Sequence, residues 1–331
     1  MAAIFVTGAT GYLGGSLVRR LAQEEEVVIL ARDPERAAPE FPGVRVCRGD
    51  VLDLDSLRRA LAGCDRIFHC AAHVRVWDRE PGRFEAVNVQ GLRNILAAAR
   101  AAGIRRTIYT SSFIALGPTD GLIADEEWEP QGREFHNEYE RTKAMGDRLA
   151  RREASQGTPL VILYPGVIYG PGPATQGNLV GRMVSDFIAG RLPGILGAGD
   201  RRFCYAFVTD VVEGHLLALR KAKDGARYIL GGENRTMREV FAELERLTSL
   251  PAPSRRIPFA VAELAGRLQR WRAAITGREP EITDEVVRIY RHEWAYTSRR
   301  AEEELGYSTT PLARGLAETV AAFRDAREAT R

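Results

Sequence analysis

The chain has 331 residues, of which 45% are hydrophobic and 27% are charged, and its formal net charge is +3. This composition supplies a large hydrophobic core, and the positive charge is spread out rather than gathered in a basic block, so we expect no nucleic-acid partner. Cysteines at positions 47, 64, 70 and 204 show neither metal-site spacing nor the density of a disulfide scaffold, which predicts reduced thiols and no metal. No apolar run reaches the roughly 20 residues of a membrane span, and the first predicted strand begins at residue 4, which leaves no room for a signal peptide. We therefore expect a cytoplasmic protein.

The first two thirds of the chain alternate between short apolar segments and helical patterns, which is typical of βαβ units around a parallel sheet. Strands are predicted at residues 4–7, 27–31, 44–48, 66–70, 107–111 and 160–164, and helices at residues 12–23, 54–61, 84–102 and 139–156. From residue 166 the pattern changes to glycine- and proline-rich loops with helices between them. These patterns predict an α/β Rossmann fold with a doubly wound parallel sheet. The cofactor-binding domain is expected at residues 1–165 and a smaller, mainly substrate-binding domain at residues 166–331, with strands near 205–208 and 227–230 returning to the main sheet.

A glycine-rich turn follows the first predicted strand and opens the first predicted helix. Gly8 permits a tight turn, Gly11 lets the backbone approach a pyrophosphate, and Gly14 lets the helix pack closely on the strand. The helix N-terminus offers free N–H groups and the positive end of its dipole to the phosphates. The turn therefore predicts dinucleotide binding rather than a plain loop, and its other members are Thr10, Tyr12 and Leu13.

The end of the second predicted strand bears on the choice between NAD and NADP. Ala31 stands where an NAD enzyme usually carries an acid for the ribose, and Arg32 follows it, which favours NADP(H). Two alternatives stay open: Asp33 caps a turn, or it curls back towards the ribose and restores NAD(H). Asp50 and Val51 end the third strand, where the carboxylate either accepts from the adenine amino group or caps the next helix.

Tyr139 and Lys143 are four residues apart on a predicted helix, so their side chains share one face. An ammonium beside a phenol favours the phenolate and lowers its pKa from about 10, which suits proton transfer nearer neutrality. Isolated, such a pair is most often an ordinary surface feature. Behind a dinucleotide-binding turn, it predicts hydride transfer at a nicotinamide with Tyr139 moving the proton.

With these motifs, the chain resembles the extended short-chain dehydrogenase/reductases of the NAD-dependent epimerase/dehydratase superfamily over essentially its full length. The resemblance is carried by Gly49-Asp50-Val51, Phe68-His69-Cys70-Ala71-Ala72, Val87-Asn88-Val89, Tyr109-Thr110-Ser111-Ser112 and Tyr164-Pro165-Gly166-Val167-Ile168-Tyr169-Gly170-Pro171.

The resemblance implies a role for each of several residues. Tyr139 is the implied proton donor or acceptor, and Lys143 also holds the nicotinamide ribose. Ser112 is implied to polarise the substrate oxygen, with Ser111 as the alternative. Asn88 is implied to kink its helix and support a relay water, unless it only caps that helix. The residues implied to line the cofactor are Ala71, Ala72, Pro165, Val167 and Ile168.

Local residues favour one activity within this family. Dehydratases place an acidic pair where this chain has Phe113 and Ile114, and epimerases place Tyr-Gly where it has Leu116 and Gly117. The stretch 203–210 also lacks the charged groups that would bind a diphosphate. What remains resembles the dihydroflavonol reductase-like branch, with the closest likeness to farnesol dehydrogenase-like members, which imply NAD(H) against the indication from Arg32.

The predicted function is therefore an NAD(P)-dependent oxidoreductase that interconverts an alcohol and a carbonyl on a hydrophobic terpenoid, flavonoid or steroid-like molecule. The alternative is a nucleotide-sugar 4-epimerase with tightly bound NAD. A third hypothesis is a nucleotide-sensing binding protein, but such proteins commonly lose the active Tyr or Lys, and this chain keeps both.

The substrate pocket is expected to be apolar and aromatic. Trp77 and Phe135 alternatively anchor the core or a loop, and a hydrogen-bonded structural role is the favoured alternative for His73. Residues 257–275 form an amphipathic helical pattern that typically packs on its own domain or forms a lid, with docking on a membrane surface as the less favoured alternative. By resemblance, helices near residues 88–102 and 139–156 imply a homodimer. The predicted pocket residues are His73, Trp77, Phe113, Phe135 and Asn178.

Overall fold

The computed structural model describes residues 2–173 and 177–328. Its strands are β1 (Ala3–Thr7), β2 (Val27–Ala31), β3 (Arg45–Arg48), β4 (Cys64–His69), β5 (Arg106–Thr110), β6 (Leu160–Pro165), β7 (Val167–Tyr169), β8 (Ile195–Leu196), β9 (Arg202–Phe207), β10 (Arg227–Leu230), β11 (Asn234–Thr236) and β12 (Arg256–Ile257). Its helices are α1 (Tyr12–Leu21), α2 (Pro34–Ala37), α3 (Leu54–Ala60), α4 (Gly82–Glu85), α5 (Gly91–Ala101), α6 (Glu138–Ser155), α7 (Leu179–Ile188), α8 (Val208–Lys221), α9 (Met237–Thr248), α10 (Phe259–Thr276), α11 (Asp284–Ile289), α12 (Arg299–Leu305) and α13 (Leu312–Glu328).

A seven-stranded parallel sheet forms the centre of the fold, in the order β10-β6-β5-β4-β1-β2-β3. After β3 the chain crosses back to the other side of β1, so the strand order reverses between β1 and β4. Parallel sheets of this kind bind ligands in the crevice at the carboxyl ends of the strands, next to such a reversal. The predicted α/β Rossmann class is confirmed, and each of the six predicted strands is present.

Both faces of the sheet are covered, which explains why its strands are apolar almost throughout. Every residue of β1 is buried, and its side chains alternate between two separate parts of the core. Ile4 and Val6 pack with residues of α1 and α8, whereas Ala3 and Phe5 pack with residues of α3 and α5. This alternation is the period-two geometry of a strand buried on both sides.

The two strands predicted near residues 205–208 and 227–230 join different sheets. Arg227–Leu230 pairs in parallel with β6 and so joins the main sheet, as predicted. The segment near residues 205–208 does not: it falls within β9, which lies between β7 and β11 in a separate three-stranded sheet. The prediction was wrong on this point because an apolar pattern indicates a buried strand without specifying its partner. Gly166, between β6 and β7, lets the chain lie very close to β9, since a Cβ there would lie 2.4 Å from the Cys204 carbonyl oxygen.

The helix predicted at residues 84–102 contains a π turn, Ala86–Gln90, between α4 and α5. Asn88 lies within this turn, where the family resemblance implied a kink. Next to it, α6 approaches so closely that a Cβ on Gly146 would meet the Tyr109 hydroxyl at 2.9 Å and the Asn88 carbonyl oxygen at 3.0 Å. Such close packing fixes α6, the helix of Tyr139 and Lys143, against the sheet edge.

Candidate active site

The predicted site residues lie on loops that leave the carboxyl ends of parallel strands, at one edge of the main sheet. Because parallel strands end at the same edge, segments distant in sequence meet there. One predicted site residue lies one or two positions after each of these strands: Gly8 after β1, Arg32 after β2, Asp50 after β3, Ala71 after β4, Ser112 after β5 and Val167 after β6.

The glycine-rich turn has the shape that a dinucleotide phosphate requires. Gly8 has a positive φ of 78°, and a Cβ there would lie 2.6 Å from the Ala71 amide nitrogen. A Cβ on Gly14 would lie 2.1 Å from the Gly8 carbonyl oxygen, so neither position accepts a side chain. Gly11 is different: it is exposed, and its nearest neighbour is the Gly8 oxygen at 3.2 Å. No side chain caps α1 at Gly11, so the first N–H groups of the helix are left for a ligand.

The other predicted members of the turn have different environments. Tyr12 is buried, and its hydroxyl donates to the Pro171 carbonyl oxygen at 3.2 Å. A Cβ on Gly172 would lie 2.8 Å from the Tyr12 ring, so this loop needs glycine to pass over the ring. Thr10 is exposed and Leu13 is half-buried. Tyr12 therefore joins the glycine-rich turn to the loop that follows β7.

The end of β2 presents an arginine without a competing acid. Arg32 is exposed, whereas the Asp33 carboxylate accepts from the Arg36 backbone N–H at 3.2 Å and caps α2. Of the two alternatives for Asp33, the structure has the cap. Its carboxylate is engaged locally and Arg32 faces solvent beside it.

The structure at the end of β3 excludes one alternative for Asp50, that it caps the next helix. Asp50 does not cap α3, because the chain makes one more turn and Asp53 caps the helix through Asp55 and Ser56. The half-buried Asp50 carboxylate accepts from the Leu52 N–H at 2.9 Å, and the next residue, Val51, is buried.

Lys143 is buried at the end of β5. Its Nζ donates to the Thr110 carbonyl oxygen at 3.0 Å and lies 5.5 Å from the centre of the Tyr109 ring. Burial lowers the pKa of Lys143 to about 8, and the charges of Cys70 and Asp147 oppose this shift. The ammonium is therefore held by backbone at the sheet edge and remains largely protonated at neutral pH.

Tyr139 is half-buried on the same face of α6. Burial raises the pKa of its phenol to about 12, and a hydrogen bond with Ser112 acts in the opposite direction. The lowering that the sequence predicts from Lys143 is not found in the protein alone, because desolvation of the phenol dominates and Ser112, rather than Lys143, opposes it. At neutral pH the Tyr139 phenol is therefore protonated.

The structure distinguishes the two candidate serines. Ser112 lies beside Tyr139 and lowers the pKa of its phenol against the effect of burial, and its Oγ accepts from the Ile114 N–H at 3.4 Å. Ser111 is buried, and its Oγ has no hydrogen-bond partner among the described residues. Only the Ser112 hydroxyl is therefore brought to the Tyr139 phenol.

Asn88 connects two parts of the site. Its Oδ1 accepts from the His73 backbone N–H at 2.7 Å, and its Nδ2 donates to the Thr142 hydroxyl at 3.0 Å. Gln90, not Asn88, occupies the position before α5, so the alternative of a simple helix cap was wrong. Asn88 joins the loop after β4 to the helix that carries Tyr139.

Two predicted pocket residues near the β4 loop have defined neighbours. His73 Nε2 lies 2.7 Å from the Asp78 carboxylate, and its ring meets Phe84 edge-on at 4.7 Å. Burial lowers the pKa of His73 more than Asp78 raises it. Trp77, on the same loop, is half-buried.

The remaining pocket residues contribute to packing. Phe113 is buried and meets Trp294 and Tyr296 edge-on at 5.8 and 6.0 Å. Asn178 is fully buried and caps α7, its Oδ1 accepting from the Gly181 N–H at 2.9 Å. Whether a substrate also reaches Phe113, Asn178 or the exposed Phe135 stays a prediction.

A buried ion pair, which sequence reasoning missed, ties the Ser112 turn to the Tyr139 helix. Glu140 is fully buried and accepts from Arg133 Nη2 at 3.0 Å. The same guanidinium donates to the carbonyl oxygens of Ala115 at 2.6 Å and Ile114 at 2.7 Å. Arg133 thus connects the turn after Ser112 with the residue next to Tyr139. The charged residue immediately after Tyr139 was the available signal, but its partner lies in an irregular loop.

Residues 4–231 match the NAD dependent epimerase/dehydratase family. The chain belongs to this family. Membership confirms the resemblance to the extended short-chain dehydrogenase/reductases and makes the protein an NAD(P)-dependent oxidoreductase.

Relatives of this family member cover nearly its whole length. It is 33% identical to the "Putative dihydroflavonol 4-reductase" of Synechocystis sp., over 97% of this chain and 94% of the relative. It is 36% identical to sterol demethylase protein B of Methylococcus capsulatus, over 97% and 98% of the two chains. It is 31% identical to the 2-alkyl-3-oxoalkanoate reductase of Stenotrophomonas maltophilia, over 92% and 94%.

Solved structures confirm the fold of this family member. The structure of gox2253 superposes with a TM-score of 0.81 at 29% identity and covers 98% of this chain and 99% of the other. UDP-glucose 4-epimerase of Thermotoga maritima superposes with a TM-score of 0.79 at 21% identity, over 98% and 99%, which shows a shared fold. Within the described residues, no helix is both long and apolar enough to cross a membrane.

Proposed function

We propose that the protein interconverts a ketone or aldehyde and an alcohol on a hydrophobic small molecule, with Tyr139 as the proton donor and acceptor. The proximity of Ser112 to Tyr139, whose pKa the Ser112 hydroxyl lowers, carries this proposal, because it gathers two hydroxyls at one point of the sheet edge. A carbonyl oxygen placed between them is polarised by Ser112 and protonated by Tyr139. Lys143, one helical turn further on, supplies the positive charge that stabilises the resulting phenolate.

The cofactor fits the residues present. The open backbone at Gly11 and the uncapped start of α1 would hold its pyrophosphate, and Ala71, Ala72, Val167 and Ile168 would lie along the nicotinamide half. When bound, the nicotinamide supplies the hydride for reduction or accepts it in oxidation.

Tyr139 supplies or accepts the proton that accompanies hydride transfer in each direction. In reduction, Tyr139 gives its proton to the carbonyl oxygen as the carbon gains a hydride, which yields the alcohol. In oxidation, the phenolate takes the proton of the alcohol. Because the pKa of Tyr139 is raised to about 12, the protonated form, which reduction requires, dominates at neutral pH.

We further propose that NADP(H) is the preferred cofactor. Arg32 is exposed at the end of β2, where it would reach a ribose 2′-phosphate. The acid that would bind a free 2′-hydroxyl is missing there, since Asp33 is occupied as the cap of α2.

Two observations support an apolar substrate. Phe113 and Ile114 follow Ser112 where acid–base residues would serve dehydration, and neither side chain can move a proton. The names of the relatives point to a dihydroflavonol, a sterol and a 2-alkyl-3-oxoalkanoate, all of them largely apolar. We infer that this chain acts on the same class of molecule.

The decisive assay follows NADPH consumption on a panel of hydrophobic ketones and aldehydes, with NADH in parallel. Net consumption on apolar carbonyl compounds is the expected result. The epimerase alternative predicts a different one: NAD that remains bound through purification, interconversion of UDP-glucose and UDP-galactose, and no net oxidation of NADPH. That outcome would overturn the proposal.

A further inference from the structure

Helix α10 exposes large apolar side chains along one side. At 100° per residue, these side chains fall within an arc of about 80° along the whole helix. Single exposed apolar residues are ordinary on protein surfaces, but a continuous row of them marks an interaction surface. We call this row the α10 stripe; its members, each between 57% and 68% exposed, are Val261, Leu264, Leu268, Trp271 and Ile275.

The opposite side of α10, which faces the protein, carries small residues. Ala262, Gly266 and Ala273 are buried there. A Cβ on Gly266 would lie 2.3 Å from the Asp284 amide nitrogen, so α10 lies very close to α11. The helix therefore buries its smallest side chains and exposes its largest, the reverse of an ordinary surface helix. Packing within the protein does not explain the stripe.

Arginines flank the α10 stripe on both sides. Arg267 and Arg272 project about 40° and 20° from its two margins and are exposed. Arg267 has only a long contact, 3.8 Å from the Asp284 carboxylate. The acidic residue of α10, Glu263, lies away from the stripe and pairs with Arg291 at 2.7 Å. The exposed face is thus apolar in the middle and cationic at its edges.

More positive charge lies at the C-terminal end of α10. Arg79 Nη1 is 3.7 Å from the Cβ position of Gly277, and Arg75 Nη1 is 3.6 Å from the Glu279 carboxylate. Both arginines belong to the loop after β4 that also carries Trp77 and His73. The α10 stripe therefore ends beside the loop of the candidate substrate pocket.

We propose that α10 docks this protein on the surface of a bilayer that contains anionic phospholipid. The apolar stripe enters the boundary between headgroups and acyl chains, and Arg267 and Arg272 contact the lipid phosphates. The helix lies on the membrane rather than across it, as no described helix is long and apolar enough to span.

Charge argues against a second copy of the chain as the occupant. In a symmetric pair of α10 helices, the flanking arginines of both copies would approach each other, and Glu263, the acidic residue of α10, lies away from that face and is paired with Arg291. An anionic surface supplies the missing charge.

Docking also has a consequence for the reaction, and this consequence alone rests on the proposed function. It places the loop of Trp77 against the lipid, so an apolar ketone dissolved in the bilayer would reach the pocket without crossing water.

Co-sedimentation with vesicles tests the docking directly, in the absence of substrate. Vesicles of phosphatidylcholine alone are compared with vesicles that also contain phosphatidylglycerol. A triple variant, Leu264→Glu with Leu268→Glu and Trp271→Glu, removes the stripe, and the pair Arg267→Gln with Arg272→Gln removes the charge. Ile123→Glu is the matched control, because Ile123 is 56% exposed on a different surface loop.

We expect binding to anionic vesicles, at least about 100-fold weaker in the triple variant and about 30-fold weaker in the arginine pair. The control should bind like the wild type, and unchanged thermal unfolding should show that the variants are folded. Absence of vesicle binding by the wild type, or equal loss in Ile123→Glu, would overturn the proposal. So would light scattering that shows a wild-type dimer and a monomeric triple variant, since a second copy would then cover the stripe. Because no turnover is measured, failure here leaves the proposed reaction to its own assay.

Discussion

Replacing Arg133 by Met tests whether the buried ion pair positions the active site. Arg133 donates to Glu140 and to two carbonyl oxygens in the turn that follows Ser112, and only 14% of its side chain is exposed. Methionine keeps most of the length of the side chain but removes every donor. Glu140 then remains fully buried without its ionic partner.

The expected cost follows from that burial. Removing one partner of a buried ion pair destabilises a protein by about 3–5 kcal/mol, because the other charge stays in a low-dielectric site. For 331 residues the entropy of unfolding is roughly 0.7 kcal/mol/K. A loss of about 4 kcal/mol should therefore lower Tm by about 6 °C.

Arg141→Met is the matched control on the same helix. Arg141 pairs with Glu138 and Glu85, both well exposed, so its removal should cost about 1 kcal/mol or less. Adding Glu140→Met to Arg133→Met should recover stability, because no buried charge is then left unpaired.

Catalysis gives the second readout for Arg133. Movement of Ser112 relative to Tyr139 should lower kcat by about 100-fold. The KM for NADPH should be unchanged, because the glycine-rich turn follows β1 and lies away from the Arg133–Glu140 ion pair. A Tm change in Arg133→Met no larger than that of Arg141→Met, with normal kcat, would refute the reasoning.

Three further predictions concern the cofactor site and Lys143. Gly14→Ala should lower Tm, because its Cβ would lie 2.1 Å from the Gly8 oxygen, whereas Gly11→Ala should leave Tm unchanged and weaken NADPH binding at least about tenfold in a fluorescence titration. The reverse pattern would contradict the assigned roles of these glycines. Arg32→Ala should raise the KM for NADPH about 10- to 100-fold and leave the KM for NADH unchanged; equal effects on both cofactors would count against a 2′-phosphate contact. Lys143 has its pKa lowered from 10.5 to about 8 in the folded protein, so the wild type should gain about 3 kcal/mol over Lys143→Met in free energy of unfolding from pH 7.5 to 10.5. Below pH 8 Lys143 is protonated in both the folded and the unfolded protein, so the full cost of burying its charge is present, and above pH 10.5 it is deprotonated in both. If the difference in free energy of unfolding between the wild type and Lys143→Met, measured by urea unfolding, did not change with pH, that result would contradict this prediction.

The sequence predicts those features that depend on local pattern. The strands of the main sheet and the turn from Gly8 to Gly14 were predictable because apolar runs and glycine spacing are read within a few residues. Tyr139 and Lys143 were predictable as a pair because helical periodicity places them on one face.

Features that depend on distant partners were not predictable. The segment near residues 205–208 was expected in the main sheet, but strand pairing is decided in three dimensions, and β9 pairs with β7 and β11 instead. The pKa of Tyr139 was expected to fall, yet burial, which spacing does not reveal, raises it. The Arg133–Glu140 ion pair and the packing of Phe113 on Trp294 join segments whose contact no local sequence pattern predicts.

Single-turnover reduction in a stopped-flow instrument tests the central claim most directly. Enzyme saturated with NADPH is mixed with the best hydrophobic ketone, and the loss of NADPH fluorescence is followed for the wild type, Tyr139→Phe, Ser112→Ala and Ser111→Ala. We predict a hydride-transfer rate about 1000-fold lower in Tyr139→Phe, a large loss in Ser112→Ala, a near-normal rate in Ser111→Ala, and unchanged affinity for NADPH in all of them. A Tyr139→Phe rate within about tenfold of the wild type, below the usual effect of a general acid, would contradict the assignment of Tyr139 as the proton donor.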